Sequence, residues 1–312
     1  MIGTFFSIFP VFAMILAGYA AARTGILPAA ANRDLNRFVS WIALPALMFS
    51  VVATTDWHRL WDGKFALASL AGSLAVFGAG MIVGRLRGLP VADIAVDGLN
   101  ASYSNAAYIG LPLFLLTMGP RSAPYVIVAA TLTLMVLFAC AVVLIEFGHH
   151  RSRGLASAFG KAGLGVIRNP VILGPLAGLA WWLTGIPLPG PVDRLTRMLG
   201  AAASPTALVA IGLFLAERPL RDSLADRFVA LLTAVKLLLH PALTMLLVWP
   251  ILGLSPYTAT LAIAIGALPT GTGPFMVAGF YARDGRVTSG TILLSTLLSV
   301  LSLTALLTLL PH

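Results

Sequence analysis

The chain has 312 residues and a net charge of +9, with 59% hydrophobic and only 10% charged residues. Soluble domains carry about 25% charged residues, and the mean hydropathy here is +0.95, which excludes a water-soluble globular domain and leaves an all-α integral membrane protein. The basic surplus is scattered through short connections, which argues against a nucleic-acid partner and for membrane topology signals.

Apolar runs of 17 to 25 residues recur, the length a helix needs to cross the hydrocarbon core. Ten spans are expected, near residues 3–22, 35–54, 64–84, 91–117, 123–147, 170–187, 195–216, 227–250, 257–282 and 287–310. AAAR at 20–23 resembles a signal-peptide cleavage site, but no basic residue precedes the first apolar run, so it is assigned as a true span. Span two carries Pro45 within LNRFVSWIALPALMFS.

Span four contains NASYSNAAYIGLPL at 100–113. Asn100, Ser102, Ser104 and Asn105 are polar, and Gly110 and Pro112 weaken the helical ladder. Irregular backbone at membrane depth persists only where protein or a water-filled cavity surrounds it, and transporters build substrate sites from such helices. Asp93 and Asp97 open the same span and favour its N-terminus or carry a charge-coupling role. The single cysteine, Cys140, excludes an intrachain disulfide.

The second half repeats these features. Ser204 and Thr206 flank Pro205 in span seven and are candidates for lining the scaffold side of a cavity. Span eight places Lys236 nine residues past Arg227, about 14 Å along a helix. A lone charge at that depth costs roughly 2.5–3.5 kcal/mol on insertion scales, so it faces a cavity or a partner, with Asp93 or Asp97 the candidate acids. His240 lies one turn on, on the same face, followed by Pro241. Span nine reads LPTGTGP at 268–274, where Pro269, Gly271, Gly273 and Pro274 cannot all continue a helix, and Thr270 and Thr272 offer hydroxyls.

An offset of 160 aligns ILAGYAAARTGI at 15–26 with PLAGLAWWLTGI at 175–186, with seven of twelve positions identical, and pairs Pro45 with Pro205; an offset of 157 pairs Pro112 with Pro269. Five spans per half is an odd number, so the halves are expected to be inverted repeats: 1–147, a cytoplasmic linker 148–169, and 170–312. With the N-terminus outside, 14 basic residues fall in inside loops and 5 in outside loops, Lys236 lying within a span. Both termini are therefore expected outside, in what is taken to be a bacterial inner membrane.

SNAAYIGLPL at 104–113, LPTGTG at 268–273 and the proline-bearing second span resemble the auxin efflux carrier family with its bacterial malate- and malonate-type permeases. The resemblance covers nearly the whole chain. It implies ten transmembrane helices in two inverted five-helix repeats, similar to the bile-acid sodium symporters, with broken fourth and ninth helices that cross. It further implies a scaffold of spans one, two, six and seven beside a transport domain of spans three, four, five, eight, nine and ten, commonly as a homodimer. Substrates would be small organic anions moved by elevator-type alternating access. Asn105, Gly110, Pro112 and Pro269 carry over by motif; Tyr108, Thr270, Thr272 and Lys236 complete the candidate substrate-binding set, with Asp97, His240, Ser204 and Thr206 in support. Where many relatives have asparagine in span nine this chain has Gly273, so a second amide ligand is missing.

Sodium-coupled symport of the bile-acid type is the alternative within transport; a channel or an intramembrane enzyme are rivals of other classes. No phosphate loop, zinc motif or hydrolytic triad is present, and His58, His149, His150 and His312 lie at span ends or in loops. Neither an enzyme, a metal nor another cofactor is expected.

Overall fold

The structure is a computed structural model that describes residues 2–28, 31–149, 170–216, 226–281 and 283–310. Among these residues the regular structure is helical throughout: α1 (Ile2–Arg23), α2 (Ala31–Thr54), α3 (Gly63–Leu86), α4 (Val91–Ser102), α5 (Ala106–Met118), α6 (Pro120–Ile145), α7 (Pro170–Leu183), α8 (Gly190–Ala216), α9 (Arg227–Ile251), α10 (Pro256–Gly266), α11 (Gly273–Phe280) and α12 (Arg286–Leu309). Six of them, α2, α3, α6, α8, α9 and α12, are long and apolar enough to cross a membrane; α5, α10 and part of α7 are shorter apolar helices. The expected 148–169 linker lies, from residue 150 onward, outside the described residues.

The prolines act differently from the simple breaks the sequence suggests. Before Pro45, Pro112 and Pro241 the helix widens into a single π-turn, Val39–Ala43, Ala106–Gly110 and Val235–Leu239. The N–H just ahead of each proline reaches the carbonyl five residues back: Leu44 to Val39, Leu111 to Ala106, and His240 to Val235. A proline ring collides with the carbonyl four residues earlier and offers no N–H; one wide turn moves that carbonyl aside while the helix continues. Pro45 therefore leaves α2 unbroken, and Pro205 sits inside α8 just after a turn at Ala202.

Small residues set the closest helix contacts. A Cβ at Gly212 would lie 2.0 Å from the Ile15 carbonyl oxygen, and one at Gly18 2.2 Å from that of Val209, so α1 and α8 touch backbone to backbone. Gly174 and Gly178 do the same for α7 on α2, against Pro45 and Phe49. Such contacts hold helices together in lipid, where apolar burial gives little drive. Further extensive contacts join α8 to α2, join α3, α4 and α6, and join α9 to α3, α10 and α12. Both α1 and α7 end in the same cap: Gly25 and Gly185 have φ of 77° and 67°, and the preceding Thr24 and Thr184 hydroxyls donate to Ala20 and Trp181 carbonyls. A left-handed glycine is the ordinary residue for such a helix end.

Charged side chains gather at the two ends of the bundle. At the start of α4, Asp93 pairs with Arg283 and Asp97 with Arg87, whose guanidinium also lies 5.3 Å from the Phe228 ring centroid. At the opposite ends of these helices, Lys64 donates to the Leu252 carbonyl at 2.9 Å and Arg121 lies over Tyr257.

Candidate functional site

Two helices are interrupted at the same place. α4 ends at Ser102 and α5 begins at Ala106; α10 ends at Gly266 and α11 begins at Gly273. The extended residues between them pair as a short antiparallel bridge, Ser104 with Thr270. Asn105 N–H donates to the Pro269 carbonyl and Gly271 N–H to the Tyr103 carbonyl, both at 2.9 Å. The interruption in span four thus lies at Tyr103–Asn105, upstream of the expected Gly110 and Pro112, because span nine supplies the backbone partners there. Gly273 and Pro274 open α11 and lie outside the break, in the first turn where a proline's missing N–H has no helical role.

The remaining polar groups lock the bridge in place. The Thr270 hydroxyl donates to the Asn100 carbonyl at 2.7 Å, and the Thr270 N–H to Ser295 Oγ at 3.1 Å. The Asn100 amide donates to Asp97 Oδ1 at 3.2 Å, so a hydrogen-bonded chain runs from the bridge through Asn100 and Asp97 to Arg87. Ser295 went unnoticed in the sequence. Thr288, Thr291, Ser295, Ser299 and Ser302 recur every three or four residues in α12 and mark one hydroxyl-bearing face, a signal that was available. Thr288, Thr291, Ser295 and Ser299 are buried.

Several polar atoms at the bridge lack a protein partner. Asn100 Oδ1 and Ser104 Oγ are buried and make no hydrogen bond among the described residues. Asn105 is 4% exposed and its amide caps nothing. An unmet buried polar group costs about 1–3 kcal/mol, and in native proteins such a group calls for an explanation such as a ligand or water. Thr270 is fully buried and Thr272 half-buried beside them. Gly110 faces Leu268, whose Cδ1 would lie 2.6 Å from a Cβ there, and Pro112 is buried in the first turn after the π-turn.

Tyr108 is turned elsewhere. Its hydroxyl lies 2.8 Å from Ser40 Oγ of α2, tying the unwound helix to that neighbour. Thr206 is half-buried one residue past Pro205; the Ser204 side chain lies outside the described residues.

Lys236 is fully buried in α9. Asp93 and Asp97 are engaged by arginines, and the lysine has other company: Nζ donates to the Gly266 carbonyl and lies 3.1 Å from His240 Nδ1. With Nδ1 accepting from the ammonium, His240 carries its proton on Nε2, which faces Ser73 Oγ at 3.4 Å. Gly266 is the last residue of α10, so the ammonium caps that helix's carbonyl end.

The electrostatic outcome is asymmetric. The N-termini of α5 and α11 both start at the bridge and present positive dipole ends to it. The carbonyl end of α10 is covered by Lys236. What is left facing the crossing suits an anion.

The membrane transport protein family matches residues 4–307 of the chain. A "Putative malonate transporter" from Rhizobium meliloti (strain 1021) is 33% identical over 302 residues, covering 96% of this chain and 93% of that protein. An uncharacterized transporter from Methanothermobacter thermautotrophicus is 25% identical over 306 residues, covering 95% of each. A "Probable auxin efflux carrier component 1b" from Oryza sativa subsp. japonica is 29% identical over 139 residues, covering 43% of this chain and 25% of that protein. With its broken spans and nearly full-length match, the chain belongs to the membrane transport protein family, that of the auxin efflux carriers, and is a membrane transporter rather than an enzyme.

Proposed function

We propose that the chain is a secondary transporter of small organic anions, short dicarboxylates foremost, held at the crossing of spans four and nine. The observation that carries this is the Ser104–Thr270 bridge, which brings two half-helix N-termini together beside the unpaired Ser104 hydroxyl, a donor an anion can use. Two positive helix ends suit a dianion, and the malonate named for the Rhizobium meliloti relative is one. Asn105 and Thr272 complete the cargo contacts, while Thr270, whose hydroxyl and N–H donate to the Asn100 carbonyl and Ser295, holds the bridge in place. Lys236 acts one step back, through Gly266, by removing negative potential from the end of α10.

Cargo moves by elevator-type alternating access of spans three, four, five, eight, nine and ten against spans one, two, six and seven. The packing supports this division: α1 lies on α8 and α7 on α2 through glycine contacts, while the crossing is enclosed by α3, α9 and α12. The same contacts support an inverted repeat. Gly18 and Gly178, 160 residues apart, each seat their helix on a member of the opposite half, and Gly25 and Gly185 end those helices alike. Proteoliposomes loaded with unlabelled malonate should accumulate labelled malonate transiently and saturably. Flux that rises linearly with concentration and lacks counterflow would make the protein a channel.

Both termini and residues 118–124 lie outside in this reading, and 148–169 inside. The two arginine–aspartate pairs then face the cytoplasm, and Lys64 and Arg121 the exterior. In a Cys140→Ser background, an impermeant maleimide added to intact cells should label a cysteine at 121 and spare one at 153; the reverse pattern inverts the topology.

A further inference from the structure

Tyr103 stands apart within span four. Every residue from Ile94 to Ala106 is buried except Tyr103, which is partly exposed. Its backbone is fixed, since its carbonyl accepts from Gly271 and its N–H donates to Leu99. Its ring lies across the start of α11: a Cβ on Gly273 would come 2.6 Å from the ring's Cζ, and one on Gly271 3.0 Å from Cδ1. Those distances leave no space for a side chain at 273 while the tyrosine is in place. The hydroxyl makes no hydrogen bond among the described residues. Tyr103 also packs against Leu134 of α6, in a cluster that Met135 and Phe138 join.

We propose that Tyr103 sets the length limit of the anion held at the crossing, its ring filling the space over the first turn of α11 that a longer substrate would need. The inference rests on the crossing being the cargo site. A dianion drawn to the two helix N-termini meets, at Gly273, ground already taken by the Tyr103 ring, so that only a short diacid is accommodated. Each further methylene must displace the ring, and a single misfit methylene in an apolar pocket already discriminates by roughly 10-fold or more.

The test is competition against labelled malonate counterflow in proteoliposomes by malonate, succinate, glutarate and adipate. Wild type should be inhibited by the two shorter acids and hardly by adipate. Tyr103→Ala should accept adipate within about threefold of malonate, and Tyr103→Phe, which keeps the ring, should retain the limit. Gly273→Ala should lose exchange through the clash and regain it when combined with Tyr103→Ala. Tyr103→Leu gives the same readout should the alanine variant not insert. An unchanged length limit in the Tyr103→Ala or Tyr103→Leu protein, or a double variant as inactive as Gly273→Ala, overturns the proposal while leaving the cargo site standing. Wild-type protein that exchanges none of the four acids overturns both.

Discussion

Lys236→Met should insert into the membrane, melt at a lower temperature than wild type, and show no measurable malonate exchange. The reason is the burial of the ammonium against a helix end. Lys236 covers the Gly266 carbonyl at the end of α10, and methionine leaves that oxygen buried without a donor, at a cost of about 1–3 kcal/mol. Lys236→Gln separates the two contributions, because an amide still donates to the carbonyl but carries no charge. A cation at a helix C-terminus is worth up to about 2 kcal/mol in a partly buried setting, so the glutamine variant should keep its melting temperature and need roughly 10- to 30-fold more substrate for half-saturation. Half-saturation equal to wild type would show that the charge has no part in attracting the anion and that capping is the residue's whole role. The measurements are a melting curve on purified protein and a concentration series of exchange.

Asn105→Ala should weaken substrate affinity by about 1–3 kcal/mol, or roughly five- to a hundredfold, without loss of assembly. Its backbone N–H is committed to Pro269 and its carbonyl to Ile109 and Gly110, so the fold uses the main chain and leaves the amide free. Alanine preserves those main-chain bonds. Asn105→Asp, nearly isosteric, should be worse than alanine because it sets a carboxylate against an anionic cargo. An aspartate variant that binds malonate as wild type does would assign the position a structural role only.

The helical, membrane-protein character was legible in the sequence because long apolar runs have few other uses, and six helices are long and apolar enough to cross a membrane among the described residues; the break at 267–272 announced itself through Pro269 and Gly271. The break in span four was misplaced by several residues. Gly110 and Pro112 are the strongest local punctuation there, but a single π-turn absorbs the proline. The true interruption at Tyr103–Asn105 depends on hydrogen bonds to residues more than a hundred and sixty positions later, which no local propensity encodes. Lys236 was recognisable as a charge needing company. Its company was not, since a main-chain carbonyl leaves no signature in side-chain identity and the acids nearest in pattern, Asp93 and Asp97, are claimed by Arg283 and Arg87. Ser295 sits in the regular hydroxyl spacing of a continuous helix, and only the Thr270 N–H it accepts from marks it as part of the crossing.

The bridge between Ser104 and Thr270 also bears on how the protein is made. Insertion proceeds from the N-terminus, so span four enters the bilayer long before residues 267–272 exist. Until then the Asn105 N–H and the Tyr103 carbonyl have no partner of their own half, and hydrocarbon supplies none. The chain up to that point is therefore an unfinished intermediate whose interrupted helix must remain in a hydrated or protein-shielded setting, in the translocon or beneath other helices. The same dependence ties residues 103–105 to residues 269–271. Residues 1–149 produced alone lack both main-chain hydrogen bonds that bridge Tyr103–Asn105 to Pro269 and Gly271, and are completed only by meeting the later segment.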